Sequence, residues 1–277
     1  MKRRIIDPHY HASIRSSNDY EALALSGVDS ILEPCHRTRQ KFDSESRYID
    51  LLLRRVEDER MRSKIFGVNA YFSLGAMPCD FSNTDLFYRV LEKLISLKDD
   101  NIFKCYGEVE FLPDMENAEE LFIYQLEFFG SKNFPVIVNI PHRNRKLVWE
   151  ETIRIFEAQK NNAKIKVENI LLDGLYISEI NQLRHFQFGA LGLPVSPILD
   201  ALFVVFKKNL PQEILDVYNN DEATDYSNVI FNTSIGFGYG DPWGFAKVAD
   251  TLHARGIGND LISDLFFGNA KKFFKLP

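Results

Sequence analysis

His9 and His11 stand two residues apart in Ile5-Ile6-Asp7-Pro8-His9-Tyr10-His11, at the end of the first apolar run. Side chains of an extended segment alternate faces with period two, so both imidazoles point the same way. Two neutral imidazoles on one face are a ready pair of metal ligands. Two histidines at this spacing also occur as unrelated surface residues. Here the segment is an apolar strand and other metal-type ligands follow later strands, which favours a metal site.

The same chemistry can be sought at the ends of the later apolar runs. Tyr106-Gly107-Glu108-Val109-Glu110 places two carboxylates on one face. A carboxylate facing a histidine pair is the natural third ligand. Glu108 is read as that ligand and Glu110 as a solvated loop charge. Further on, Asn139-Ile140-Pro141-His142-Arg143-Asn144-Arg145-Lys146 brings His142 within reach of the site and clusters Arg143, Arg145 and Lys146. Such a cluster can hold an anionic substrate group through bidentate guanidinium forks. It can equally be a solvated helix start, although positive charge is mildly unfavourable at a helix N-terminus. Glu33, ahead of Cys35 and His36, is an ordinary loop carboxylate or a group that holds a histidine; the former is preferred. Asp173-Gly174 and Asn232-Thr233-Ser234 close two more runs. Gly236, Gly238 and Gly240 suggest a loop that passes close to a ligand or turns tightly into the last helix. No G-x-S-x-G hydrolase signature is present. His185 and His253 sit within helical patterns and read as ordinary helix residues. Two histidines and a carboxylate also match a non-haem iron face.

These groups need a scaffold, and the patterning supplies one. Candidate strands are Arg4–His9, Val28–Pro34, Phe66–Phe72, Phe103–Val109, Pro135–Ile140, Asn169–Asp173, Ala190–Val195 and Val229–Thr233. Helical stripes lie between them: Ile49, Leu52, Leu53 and Val56; Leu86, Val90, Leu94 and Leu97; Leu121, Tyr124 and Phe128; Leu199, Leu202, Phe203 and Phe206; Phe245, Val248, Ala249 and Leu252. Asn18 and Asp19 open the first helix and Gly27 closes it; Asp241-Pro242 opens a later one, with Gly256 near its end. Strand then helix, about eight times over, predicts a single (β/α)8 TIM-type barrel covering residues 1–277 as one domain. A doubly wound open sheet is the rival, but no G-x-G-x-x-G or P-loop follows the first strand. Gln212–Ser227 reads as an exposed loop or weak helix. In such a barrel the active site lies at the C-terminal ends of the strands.

The 277 residues are 45% hydrophobic and 26% charged, ordinary for a soluble globular chain. A net charge of -6 argues against a general nucleic-acid binder and leaves room for a local basic rim. Cys35, Cys79 and Cys105 form no C-x-x-C pair and read as reduced thiols of a cytoplasmic protein. The basic Met1-Lys2-Arg3-Arg4 leads into no signal-type stretch, and no apolar run is long enough to span a membrane.

Taken in order, these residues resemble the TatD-like metal-dependent hydrolases of the amidohydrolase superfamily, especially a divergent branch whose first strand reads D-P-H-x-H. The similarity includes Asp7-Pro8-His9-Tyr10-His11, Ser13-Ile14-Arg15-Ser16, Gly27-Val28 before Glu33-Pro34, Gly107-Glu108 and Pro141-His142-Arg143-Asn144. It continues through Gly236-Phe237-Gly238 ahead of Asp241-Pro242 and ends in Gly268-Asn269-Ala270-Lys271-Lys272-Phe273-Phe274. The resemblance implies a barrel with one or two divalent ions, Zn, Mn or Mg. His9, His11 and Glu108 match its ligands. Its fifth-strand histidine falls on Asn139, its sixth-strand histidine on Gly174 and its last-strand aspartate on Ser234; His142 substitutes in part. The expectation is one divalent ion on His9, His11, Glu108 and His142. Glu108 and Ser234 are the catalytic candidates, and Arg15, Arg143 and Arg145 bind substrate. The activity implied is hydrolysis of an ester, amide or phosphodiester bond in a small anionic substrate. The alternative is a degenerate, silent barrel that binds or scaffolds, because a serine hydroxyl cannot replace a carboxylate base.

Overall fold

Eight short runs rich in Ile, Leu, Val and Phe pair side by side, all parallel, in chain order. In the computed structural model, which describes residues 4–194, 199–200, 203–204, 225–234 and 241–277, these strands are β1 (Ile5–Asp7), β2 (Val28–Glu33), β3 (Asn69–Leu74), β4 (Phe103–Val109), β5 (Val136–Asn139), β6 (Ile170–Asp173), β7 (Ala190–Pro194) and β8 (Val229–Asn232). Each pairs with the next, from β1 through β8. Near-continuous apolar runs are what a parallel sheet covered on both faces requires. The architecture is a (β/α)8 TIM barrel.

Helices fill the connections: α1 (Ser17–Ser26), α2 (Glu45–Ile65), α3 (Thr84–Ile95), α4 (Ala118–Gly130), α5 (Arg145–Ala158), α6 (Ile180–Leu183), α7 (Gly244–Ala254), α8 (Asn259–Ser263) and α9 (Asn269–Phe273). Local signals place their starts. The Ser44 hydroxyl accepts from the Arg47 amide at the head of α2, and Asn83 Oδ1 accepts from the Leu86 amide at the head of α3. The α1 start falls at Ser17 with Ser16 as the capping position, slightly before Asn18, and Gly27 closes it. Leu53 of the α2 stripe is exposed, while Ile49, Leu52 and Val56 are buried.

Strand periodicity sorts the core into two layers. Ile6, Leu32, Tyr71, Cys105, Ile137, Leu171, Ala190 and Ile230 come one from each strand and pack inside the barrel with Ala270, Phe274 and Leu276. Their strand neighbours, such as Ile5, Ile31, Phe72 and Phe231, pack against the helices. The C-terminal segment therefore fills the barrel interior with apolar side chains, leaving the strand C-terminal ends as the open face. The seam between β1 and β8 is sealed by side chains. Asp7 Oδ1 accepts from the Thr233 amide at 3.1 Å, and the Thr233 hydroxyl donates to Asp7 Oδ2 at 2.5 Å.

One expectation fails outright. Leu199–Asp200 and Phe203–Val204 form a two-stranded antiparallel pair rather than a helix; a short apolar run cannot distinguish the two periods. Leu202 and Phe206 of that stripe lie outside the described residues, as do Val195, residues 212–224 of the polar stretch and the glycines Gly236, Gly238 and Gly240.

Phe274 is almost fully buried in the inner layer. Truncation by Phe274→Ala is expected to cost about 3–5 kcal/mol, read as a lower urea midpoint with unchanged slope. A loss under about 1 kcal/mol would show that the C-terminal segment is not part of the barrel core.

Candidate metal centre

The open end of the barrel holds a cavity of about 610 Å³. It is lined from the C-terminal ends of β1 (His9, His11), β2 (His36, Arg37, Arg39), β4 (Glu108, Glu110), β5 (Asn139, His142, Arg143), β6 (Gly174) and β8 (Ser234). This is where the barrel rule puts an active site.

At its floor His9 Nε2 lies 3.1 Å from His11 Nε2 and 3.3 Å from Glu108 Oε1. Donor atoms of all three residues fall within 4.8 Å of one another, and all three residues are buried. A tetrahedral cation with bonds near 2.1 Å holds its ligands about 3.4 Å apart, so the spacing fits a divalent ion. Two imidazoles and one carboxylate lining a cavity make the donor set of catalytic rather than structural zinc-type sites. Convergence does not come from strand alternation, as the sequence suggests. β1 ends at Asp7, and His9 and His11 project from the bend that follows, where the Tyr10 amide still reaches the Leu32 carbonyl of β2 at 3.0 Å.

Charge at the floor is tightly balanced. Burial works against a charged His9, but Glu108 and Asp173 override it and hold its pKa up at about 9. Burial pushes the Glu108 carboxyl up to about 8 against the pull of His9. Burial and the neighbouring His9 charge drive His11 well below its ordinary value. Burial raises Asp7 to about 7 despite its Thr233 and His9 hydrogen bonds. Asp173, despite its burial, is held below the usual carboxylate range by His9.

Other expected site residues divide. Ser234 lines the cavity in the left-handed region, φ 47°. Arg143 lines it and is exposed. His142 also lines it but sits exposed at the rim, outside the group formed by His9, His11 and Glu108. Two arginines require correction. Arg145 turns to the barrel wall: it donates to the Gly174 carbonyl, pairs with Glu179 and stacks 3.8 Å over Tyr176. Arg15 pairs with Asp19 at 2.7 Å and is absent from the cavity lining. Glu110 is not a solvated charge either. It is buried in the cavity wall, taking a hydrogen bond from Asn139 Nδ2 at 2.8 Å and facing Arg37 at 3.6 Å. Glu33 is fully buried, accepts from the Ser13 amide at 3.0 Å and pairs with Arg55 at 3.4 Å.

Arg37 and Arg39 on the rim, and the place of His36 in the cavity wall, emerge only from the structure. The His36 ring meets the His11 ring edge-on, with centroids 4.9 Å apart. The signal was present in Cys35-His36-Arg37, directly after β2, but no periodicity marks a loop residue as facing inward. Gly174 is a firmer departure than a substitution. Its φ is +78°, and a Cβ there would lie 2.3 Å from the Ile140 carbonyl oxygen. No side chain can be restored at this position without moving β5.

No protein-family model matches the chain. An uncharacterized metal-dependent hydrolase of Methanocaldococcus jannaschii is 23% identical over 272 residues, covering 98% of this chain and all of that protein. Among solved structures, the TatD-like protein of Archaeoglobus fulgidus superposes with a TM-score of 0.72 at 17% identity, covering 98% of this chain and 99% of that one. The chain has the TatD-like fold. β-Aspartyl dipeptidase of Fervidobacterium islandicum follows at a TM-score of 0.64 and 14% identity, covering 99% of this chain and 74% of that one. The expected resemblance thus holds for the architecture of this TatD-like barrel along its length.

The raised groups carry a stability consequence. Folded Asp7, Glu108 and His9 keep protons up to about 7, 8 and 9, whereas their ordinary values are 3.8, 4.5 and 6.5. Between pH 6.5 and 9 the folded chain therefore binds protons the unfolded chain has released, and stability falls as pH rises. The lowered His11 and His36 act below that window. Denaturant midpoints in chelator are expected to fall from pH 6.5 to 9. Added Mn²⁺ should flatten the fall, because a cation takes the deprotonated donors. A chelated protein whose midpoint rises across this range would contradict the assignment.

Proposed function

We propose that this TatD-like barrel is a metal-dependent hydrolase that works with one divalent cation held by His9, His11 and Glu108. The observation that carries the reading is the convergence of three buried donors at the floor of the cavity. Two imidazoles favour Zn over Mg, whose preferred ligands are oxygens, and the carboxylate also admits Mn. The relative from M. jannaschii, matched over its full length, is named a metal-dependent hydrolase, and that name supports the reading. A bound cation would supply Lewis acidity to the scissile bond and to the attacking water.

The residues around it do the rest. Glu108 and the two histidines set the position of the reacting centre. Ser234, at the cavity wall, offers a hydroxyl that can orient a water by hydrogen bonding but is a poor base near neutral pH. Arg143 on one side, with Arg37 and Arg39 on the other, makes a cationic rim above an acidic floor. This rim suits a small anionic substrate with an ester, amide or phosphodiester bond, and it takes over the role expected of Arg145 and Arg15. A net charge of -6 disfavours nucleic acid as the substrate. Three unpaired cysteines support a reducing, cytoplasmic setting. No helix among the described residues is long and apolar enough to cross a membrane.

A second reading, a silent barrel that only binds, is favoured by one observation: Ser234 stands where a carboxylate base is expected. Both readings face the same experiment. Hydrolysis of neutral and anionic esters, amides and phosphodiesters is measured with added Mn²⁺ or Zn²⁺ for the wild type, His9→Ala, Arg143→Ala and Ser234→Asp. The hydrolase reading expects wild-type turnover that His9→Ala abolishes, and an Arg143→Ala effect on KM for anionic substrates only. Ser234→Asp is expected to raise kcat by up to about 10²-fold; the left-handed backbone there suits Asp. Turnover confined to Ser234→Asp would establish the silent reading, and turnover indifferent to His9→Ala would end both.

A further inference from the structure

Asp173, at the end of β6, is fully buried and belongs neither to the donor group nor to the cavity lining. Its carboxylate is nonetheless held on several sides. Oδ2 accepts a hydrogen bond from His9 Nδ1. Oδ1 accepts from Asn232 Nδ2, at the end of β8, at 2.6 Å. The space for Oδ1 is made by Gly192 of β7, where a Cβ would lie 2.1 Å from it. Three successive strands therefore fix one carboxylate against one imidazole.

That contact decides what His9 can offer on its other side. A neutral imidazole carries its proton on one nitrogen and a lone pair on the other. An acceptor at Nδ1 selects the tautomer with the proton there, so the lone pair on Nε2 faces His11 and Glu108. Asn232 reinforces the choice. Its amide donates to Asp173 while its own Oδ1, buried, has no hydrogen-bond partner among the described residues. The amide orientation thus serves the carboxylate and leaves Oδ2 as an acceptor for His9. We propose that Asp173 is a positioning residue for the metal centre, holding His9 in the tautomer and orientation that can ligate a cation, with Asn232 and Gly192 holding Asp173 in turn. The inference rests on the reading of His9 as a ligand.

Two measurements test it together. Mn²⁺ affinity is determined by titration calorimetry, and the His9 tautomer by ¹⁵N NMR of the chelated protein at a pH where the ring is neutral. Asp173→Ala is expected to weaken Mn²⁺ binding about 10–100-fold, the range for removing such a partner of a ligating histidine, and to shift the His9 proton toward Nε2. Asp173→Asn keeps the shape and safeguards the test if the alanine variant folds poorly. Its amide oxygen can accept from His9 while its NH₂ faces Asn232 Oδ1 once that amide turns. It should keep the Nδ1–H tautomer and lose less affinity than Asp173→Ala. A purely structural role would lower thermal stability without moving the tautomer. If Asp173→Ala binds Mn²⁺ within about twofold of wild type, or retains the proton on Nδ1, the inference is wrong, while loss of binding in His9→Ala would leave the metal centre standing. Equal binding by wild type and His9→Ala would instead overturn the metal centre, and the inference with it.

Discussion

A buried imidazole flanked by two carboxylates organises the mouth of this barrel. His9 faces Asp173 through Nδ1 and Glu108 through Nε2, with almost no access to water. Polar groups removed from solvent are costly unless hydrogen-bonded, so the neighbouring strands are committed to satisfying them. Asp7 turns from β1 to bind the His9 and Thr233 amides. Asn232 reaches from β8 to Asp173, and Asn139 reaches from β5 to Glu110. The polar groups at the strand ends form a belt above the apolar inner layer. That belt closes the seam between the first and last strands as well as shaping the cavity.

Position in the barrel separates the two kinds of charge. Floor groups are carboxylates and imidazoles at or just past strand ends, where the barrel backbone positions them. Rim groups are long arginines on loops or at a helix start, and their targets are set by whatever lies nearest. Arg145 has the Gly174 carbonyl, Glu179 and the Tyr176 ring within reach and is used there. Arg143, two residues earlier, remains at the cavity. A guanidinium that stacks on an aromatic ring and fills its donors becomes part of the wall.

This contrast explains how much was legible in the sequence. All eight strands follow from apolar runs such as Phe103–Val109, because buried parallel strands must be continuous and apolar. The His9, His11 and Glu108 donors follow too, since they sit at or just past strand ends, where the barrel rule gives them a direction. The partners of charged side chains do not follow. Nothing in the spacing of Arg15 or Arg145 tells whether a substrate or an internal acceptor takes the guanidinium. Glu110 looks like a loop charge until Asn139 is seen beside it. Gly174 looks like a lost ligand until its positive φ and the Ile140 carbonyl show that no side chain fits. The helix expected through Leu199 and Phe203 failed for a different reason: apolar positions so close together satisfy a helix and a pair of short strands equally.

The proposed chemistry depends on a single cation held by three donors, His9, His11 and Glu108. Anomalous diffraction at the manganese edge, from crystals grown with Mn²⁺, examines it directly. One peak is expected at the cavity floor, within bonding distance of His9 Nε2, His11 Nε2 and a Glu108 carboxylate oxygen. A peak at the rim near His142 with none at the floor, or a floor without anomalous density at saturating Mn²⁺, would contradict it.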